Sequence, residues 1–385
     1  MTEDSSADVD FSGALLRLGE SDPNAAAVKA KEELDSLDSV TLNIAVTGEA
    51  GAGKSSFINA LRDLSDEDDN SAPTGLTETT KEATMYTHPT KPNVRLWDLP
   101  GIGTPNFKAN KYLKDVKFET YDFFIIISSE RFKENDVYLA KEIQKKQKRF
   151  YFVRNKIDND IRSAANGKIN EQQLLCTIRE DCYRNLKEVG NPKVFLISSF
   201  DLGKYDFENL VGTLESELSD HKGFALVQSL PVYSLAMLEK KKALLEKFSW
   251  LAALASSACT LVPNQIMSLI ADNAILIAYL IGCHYVLGLN EKSLKQLSER
   301  TNKPVSQLKL AIKSPVSLAV LDRMRISPMA KPVKSLEDLL DSKNLAANVR
   351  NAKDAFTNSH TNLIRALNEM IKDMRQVLQV AGLDK

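Results

Sequence analysis

Apolar positions follow two different rhythms along this chain. Between residues 40 and 220, short unbroken apolar runs alternate with longer stretches in which apolar residues recur at helical spacing. The runs are VTLNIAV (40–46), VRLWDLPGIG (94–103), YDFFIIISS (121–129), RFYFVRNKID (149–158) and KVFLISS (193–199). Runs of this length, rich in β-branched and aromatic residues and apolar on both faces, predict strands of a parallel sheet. The intervals 53–64, 109–118, 134–147, 171–188 and 206–218 read as helices. Strand and helix in strict alternation predict a doubly wound, mostly parallel α/β sheet, with ligand at the C-terminal ends of the strands.

After Ser229 the strand rhythm stops. LAMLEKKKALLEKF (235–248) reads as a charged amphipathic helix. In Trp250–Leu289 the only charged residue is Asp272, with His284 taken as neutral. A membrane span needs about 20 uninterrupted apolar residues. Pro263-Asn264-Gln265 and Asp272-Asn273 break this stretch too early. Helices buried on all sides are therefore the expectation, with Trp250, Cys259 and Cys283 as core residues. The alternative is a membrane-inserting hairpin, because AILIAYLIGCHYVLGL (274–289) is so apolar. Residues 290–315 return to an amphipathic helix-turn-helix pattern, and 325–350 begin as a connector at Pro328 and Pro332. In 355–382, Phe356, Leu363, Leu367, Met370, Met374, Val377 and Leu378 form one stripe. It either packs on the body or meets a partner or membrane surface. PNAAAVKAKEELDSLDSV (23–40) reads as a helix ahead of the first strand. The expected organisation is an N-terminal helical segment (1–40), an α/β domain (41–220) and an all-α domain (221–385), the first packing with the last.

Composition narrows the function classes. The 385 residues are 43% hydrophobic and 26% charged, with a net charge of −1, so nothing points to nucleic acid. Cysteines at 176, 182, 259 and 283 form no C-x2-C pair, and the four histidines are scattered. Zinc and a disulfide framework are not expected, and a reducing compartment fits. The opening residues MTEDSSADVDFSG match no signal peptide or transit peptide. Thr2 stands where myristoylation requires glycine. A cytoplasmic protein is the expectation.

The chemistry begins at VTGEAGAGKSSFINAL (46–61). Gly48-x4-Gly53-Lys54-Ser55 is a phosphate-binding loop between a strand and a helix. Gly48, Glu49, Ala50, Gly51, Ala52, Gly53, Lys54, Ser55 and Ser56 would wrap the phosphates with backbone N–H groups. Lys54 would reach the β- and γ-phosphates, and Ser55 would hold Mg²⁺. The helix N-terminus adds its dipole. Asp98-x-x-Gly101 follows the next strand. Asp98 would hold Mg²⁺ through a water, and the Gly101 N–H would meet the γ-phosphate. Asn155-Lys156-Ile157-Asp158 is a guanine reader: the Asp158 carboxylate accepts from N1–H and the exocyclic amine, and the Lys156 stem lies along the base. Ser198 ends the last strand, where a backbone N–H would meet guanine O6. In this serial order the motifs predict a P-loop GTPase domain binding GTP and GDP. TGLTETTKEAT (74–84) is the candidate first switch. Thr79 or Thr80 is favoured as the Mg²⁺ ligand by its distance ahead of Asp98, with Thr74 and Thr77 as alternatives.

Four stretches together resemble the immunity-related GTPases: VTGEAGAGKSSFINALR, TGLTETTKEATMYTHPTKPNVRLWDLPGIGTPNF, YDFFIIISSERFKENDVYLAKEI and FYFVRNKIDNDI. Generic GTPase chemistry does not demand the third. The resemblance spans about 40–220 strongly and 230–320 more weakly. It implies a GTPase domain gripped by a helical domain built from both chain ends. It further implies self-assembly in the GTP state and action on intracellular or pathogen-vacuole membranes in cell-autonomous immunity. The partners so implied are a second copy, other family members and a peripherally bound membrane. Lys54 matches the lysine-loop members of that family rather than those with methionine there. Asn155 stands where many members carry Thr, which leaves base choice intact.

Ras-type GTPases place a water-orienting Gln immediately after D-x-x-G. Here that residue is Ile102, so slow hydrolysis by an isolated molecule is expected. The resemblance assigns Glu78 as the switch glutamate that reaches a partner's site. Lys54, Glu78, Thr80 and Gly101 are then the catalytic candidates. Two rivals stand beside an assembly-stimulated GTPase: a slow-hydrolysing binding switch, and a membrane-inserted fusion or fission GTPase.

Overall fold

The computed structural model describes residues 9–75, 82–102, 108–164, 170–190, 192–257, 265–324 and 352–384. In chain order its elements are α1 (Phe11–Leu18), α2 (Pro23–Ser39), β1 (Leu42–Gly48), α3 (Lys54–Leu61), β2 (Thr84–Thr87) and β3 (Val94–Asp98). Then come α4 (Ala109–Asp115), β4 (Phe123–Ser128), α5 (Glu134–Lys145), β5 (Arg149–Arg154), α6 (Ile157–Ala164), α7 (Glu171–Asn185) and β6 (Val194–Leu196). The rest is helical: α8 (Phe207–Glu217), α9 (Asp220–Ser229), α10 (Leu235–Ser257), α11 (Gln265–Val286), α12 (Glu291–Thr301), α13 (Val305–Leu310), α14 (Pro315–Met324) and α15 (Ala352–Ala381). The chain forms two compact units, Val40–Leu230 and Met1–Ser39 with Pro231–Lys385.

The first unit is built on a six-stranded sheet of order β2-β3-β1-β4-β5-β6. β1 pairs in parallel with β3 (Ile44 opposite Leu96) and with β4 (Ile44 opposite Phe123), and β5 and β6 continue in parallel. Every residue of β4 is buried, as helices on both faces of a parallel sheet require. β2 alone is antiparallel, at the edge. Its TMYT sequence is largely exposed, so no apolar pattern announces it. α6 was equally silent, because it begins inside the Asn155–Asp158 motif.

α9 belongs to this unit rather than to the helical part, so the division falls after Leu230 and not after 220. Leu226 and Leu230 meet Ile44, Phe57, Ile125 and Phe207 around a small apolar cavity. Lys222 pairs with Asp122, whose other oxygen accepts from the Asn43 N–H at 2.8 Å. These contacts fix α9 to the central strands β1 and β4 of the sheet.

The second unit is all helical among its described residues. The stripe on α15 is buried: Phe356, Leu363, Leu367, Met370, Met374, Val377 and Leu378 are each at most 2% exposed. Both chain ends meet there. The Phe11 ring lies 5.7 Å from that of Phe356, and the Arg17 guanidinium sits 5.9 Å over Trp250. From Ala274 on, α11 corrects the expectation of helices buried on all sides. Leu276, Ile277, Leu280, Cys283 and His284 are buried, whereas Tyr285 is exposed, a one-sided helix. Ala274–Thr301 is long and apolar enough to cross a membrane by length and composition, and half of its apolar window is buried within the protein. Cys259, Pro263 and the connector 325–350 lie outside the described residues.

Among the buried polar groups of this unit are Lys241, His284 and Asp373. The Lys241 ammonium donates to the Val286 carbonyl at 2.7 Å and so ties α10 to the end of α11. His284 is fully buried, and neither ring nitrogen has a hydrogen-bond partner among the described residues. Burial pushes its pKa down to about 4, against a weaker pull upward from Asp373. Asp373 itself accepts from the Lys313 N–H at 3.0 Å and the Ser314 hydroxyl at 2.6 Å, at the start of α14.

Candidate nucleotide-binding site

β1 delivers the phosphate loop. It is apolar and buried almost throughout, and it ends at Gly48 with φ +143°. A Cβ there would stand 2.0 Å from the Ile127 carbonyl oxygen on β4. Only glycine lets the two strands close at this point and launch the loop between them. The loop ends at Gly53, φ +90°, which caps α3. A Cβ on Gly53 would lie 2.6 Å from the Asn155 amide nitrogen. The phosphate loop and the base-reading loop are therefore packed to contact distance.

A cleft of about 230 Å³ opens above this junction. Ala50, Gly51, Gly53, Lys54, Ser55, Ser56, Thr74, Gly101, Asn155, Lys156 and Asp158 line it. Residues expected from the sequence are thus brought together from four places in the chain. The Lys54 side chain is buried, and its ammonium donates to the carbonyls of Gly48 (3.3 Å) and Glu49 (3.1 Å). The charge is held inside the loop's curve. The Ser55 hydroxyl donates to Asp98 at 2.9 Å, and Asp98 is almost fully buried. A hydroxyl and a carboxylate side by side are hard oxygen donors of the kind Mg²⁺ takes. No group of three His, Cys, Asp or Glu side chains able to hold a metal occurs among the described residues. A cation here would fill its shell from phosphate oxygens and water.

At the base end, Asn155 is buried and acts as a strut. Its amide donates to the Ala52 carbonyl at 3.4 Å and accepts from the Ser199 N–H and hydroxyl at 3.2 and 3.0 Å. Lys156 adopts φ +61°, and its ammonium donates to the Gly51 carbonyl at 2.7 Å. The stem then lies along the cleft. Asp158 accepts from the Ser198 hydroxyl at 2.7 Å and from the Arg162 guanidinium at 2.6 Å. Arg162 thus gives one N–H to this carboxylate, while its Nε donates to the Asp158 backbone carbonyl at 3.4 Å; it occupies one of the oxygens that guanine would bond.

Several sequence candidates shape the site without lining it. Gly48 and Ala52 are buried in the turn, and Glu49 turns outward to pair with Lys133 at 2.6 Å. Ser198 is buried behind Asp158. The cleft wall beyond it is Ser199 and Phe200, which sequence reasoning missed. The signal was their place immediately after Ser198. Thr77, Glu78, Thr79 and Thr80 lie outside the described residues.

The segment after Asp98 is held from two sides. The Tyr112 hydroxyl donates to the Pro100 carbonyl at 2.9 Å and lies 2.8 Å from the Thr47 hydroxyl. Burial raises the Tyr112 pKa, so the hydroxyl stays protonated. Asn135, in the first turn of α5, donates to the Ile102 carbonyl at 2.7 Å. The Ile102 side chain is fully buried in the apolar core. Asp136, also in that turn, accepts from the Lys133 N–H at 2.8 Å, and burial lifts its pKa to about 7.

The chain is similar to known proteins over most of its length. A family model described as Interferon-inducible GTPase (IIGP) matches residues 13–380. The chain is 42% identical over 313 residues to Interferon-gamma-inducible GTPase 10 of Mus musculus, covering 80% of this chain and 74% of that one. It is 41% identical over 300 residues to Interferon-inducible GTPase 1 of the same species, covering 77% and 73%. Among solved structures, Era of Aquifex aeolicus bound to GDP and AlF4⁻ aligns with 57% of this chain and 66% of its own, at 19% identity and a TM-score of 0.34. Toc33 of Arabidopsis thaliana with Mg²⁺ and GMPPNP aligns with 45% and 77%, at 13% identity and a TM-score of 0.32. With a phosphate loop, a D-x-x-G segment and a guanine reader converging on one cleft, and with a family match that runs nearly the whole length, the chain belongs to the interferon-inducible, immunity-related GTPases and binds GTP and GDP.

Proposed function

We propose that this GTPase binds its nucleotide with Mg²⁺, pairs with a second copy through the sheet unit in the GTP state, and hydrolyses GTP fastest in that pair. It then acts as a peripheral protein on intracellular membranes, of an organelle or of a pathogen vacuole, with other family members as further partners. The cytoplasm is its resting place.

The observation that carries this reading is Ile102. Its side chain is fully buried, and its position follows Gly101, which lines the cleft. A water beside the γ-phosphate would find no orienting group there. Catalysis by positioning then needs a group from elsewhere, and Glu78 of a second copy is the one we assign. This chain's other contributions are local. Lys54 shifts its charge from loop carbonyls to phosphate oxygens, and Gly101 offers its N–H to the γ-phosphate. Thr80 completes the grip from the first switch. Ser55 and Asp98 would hold Mg²⁺, which neutralises phosphate charge when bound. One-sided burial of α11 supports peripheral over spanning attachment, since its apolar face already has a protein partner.

Ile102 also favours a second reading, a binding switch that barely hydrolyses. GTP turnover per molecule against protein concentration separates the two, with wild type beside Lys54→Ala and Glu78→Ala. The proposal expects a rate that climbs with concentration and is lost in both variants. A low, flat rate with Glu78→Ala silent would leave only the switch.

A further inference from the structure

We propose that Phe200 is the aromatic wall against which the guanine base packs, and that it sets nucleotide affinity. The inference rests on the reading of this cleft as the guanine-nucleotide site. Phe200 is a large apolar side chain left 68% exposed. Scattered exposed apolar residues are ordinary; its placement is not. Phe200 lines the same cleft as Lys156 and Asp158. Its backbone is anchored to the base reader: the Phe200 N–H donates to the Ser198 hydroxyl oxygen at 3.3 Å, and that hydroxyl donates to Asp158 at 2.7 Å. One residue earlier, Ser199 is bonded to the Asn155 amide oxygen through both its N–H and its hydroxyl. One residue later, the Asp201 N–H donates to the Ser198 carbonyl at 3.3 Å. The backbone that carries the ring is therefore anchored beside the carboxylate that reads the base, by bonds that do not involve the ring.

A purine presents two flat faces once its edge is bonded. The Lys156 stem, pinned at its far end to Gly51, supplies an aliphatic surface. Phe200 supplies the only aromatic surface lining the cleft among the described residues. Stacking of a base on an aromatic ring is worth about 1–3 kcal/mol by alanine substitution. This interaction is the same for GDP, GTP and the transition state, because the base stays in place while the phosphate reacts. It belongs to binding and leaves the chemical step alone.

The test is GDP affinity by calorimetry, with kcat and KM for GTP at one fixed protein concentration, for wild type, Phe200→Ala and Phe200→Tyr. The expected result is a roughly 5- to 150-fold weaker GDP affinity in Phe200→Ala. KM rises alongside, kcat and the melting temperature are unchanged, and Phe200→Tyr restores binding. Wild-type affinity in Phe200→Ala would overturn the proposal. So would a Phe200→Tyr variant as weak as alanine, or a loss confined to kcat, which would mark Phe200 as a contact between copies. Failure of wild type to prefer GDP over ADP would instead refute the underlying reading of the cleft.

Discussion

His284 makes a quantitative prediction about acid. It is fully buried in α11, its pKa lies near 4, and the unfolded value is 6.5. A depressed histidine favours the neutral folded state. Its contribution is therefore complete above pH 6.5 and disappears as pH falls toward 4. The whole effect is about 3 kcal/mol. Between pH 7 and pH 5 the unfolded chain takes up the proton and the folded one does not, which removes about 2 kcal/mol of stability. Asp136 opposes this in the other unit. Its carboxyl is raised to about 7, so it favours the folded state as pH falls, and the total acid response of the protein mixes the two. The histidine is isolated by comparing wild type with His284→Leu. Trp250 is buried in the helical unit, and the chain's only other tryptophan is Trp97. In a Trp97→Phe background, urea unfolding followed by tryptophan fluorescence therefore reports the helical unit alone. The stability difference, wild type minus His284→Leu, should fall by about 2 kcal/mol from pH 7 to pH 5. A difference that stays constant, or grows, would refute the argument.

Gly48→Ala drives a Cβ to 2.0 Å from the Ile127 carbonyl at a φ of +143°. It should destabilise the sheet unit by about 3 kcal/mol or more, seen as an early transition of Trp97 fluorescence while Trp250 is unchanged. Arg162→Ala removes the guanidinium that occupies the Asp158 carboxylate. It should tighten GDP binding by roughly two- to five-fold, the range of an exposed ion pair; weaker binding would mean that Arg162 positions the carboxylate instead.

The sheet was legible because strands buried on both faces leave no polar interruption, as in FFIIIS of β4. β2 was not, since an edge strand paired on one side can be polar throughout. The extent of the first unit was misread at α9. Its helical pattern is local, while its allegiance depends on Leu226 and Leu230 meeting Ile44 and Phe207, contacts no spacing reveals. In the site, the glycine loop, Asp98 and the guanine reader were legible because backbone geometry and charge dictate their residue types. Phe200 was not, because an apolar ring in a loop carries no motif. Nor was the engagement of Asp158 by Arg162, four residues on, which resembles any surface pair on a helix.

The helical unit is interrupted in sequence by the entire sheet unit. During synthesis α1 and α2 emerge first, but α10, which packs on α2, follows only after about 190 further residues. At about 5–20 residues per second the wait is roughly ten to forty seconds. Through that interval α2, whose Ala26, Ala27, Ala30 and Leu37 are buried in the finished protein, has α1 beside it but not α10, while the nucleotide-binding unit behind it can already close. A ribosome that stalls after Leu230 would release a folded nucleotide-binding unit trailing an adhesive helix. The packing of α2 is therefore completed only by helices that lie on the far side of the sheet unit in sequence.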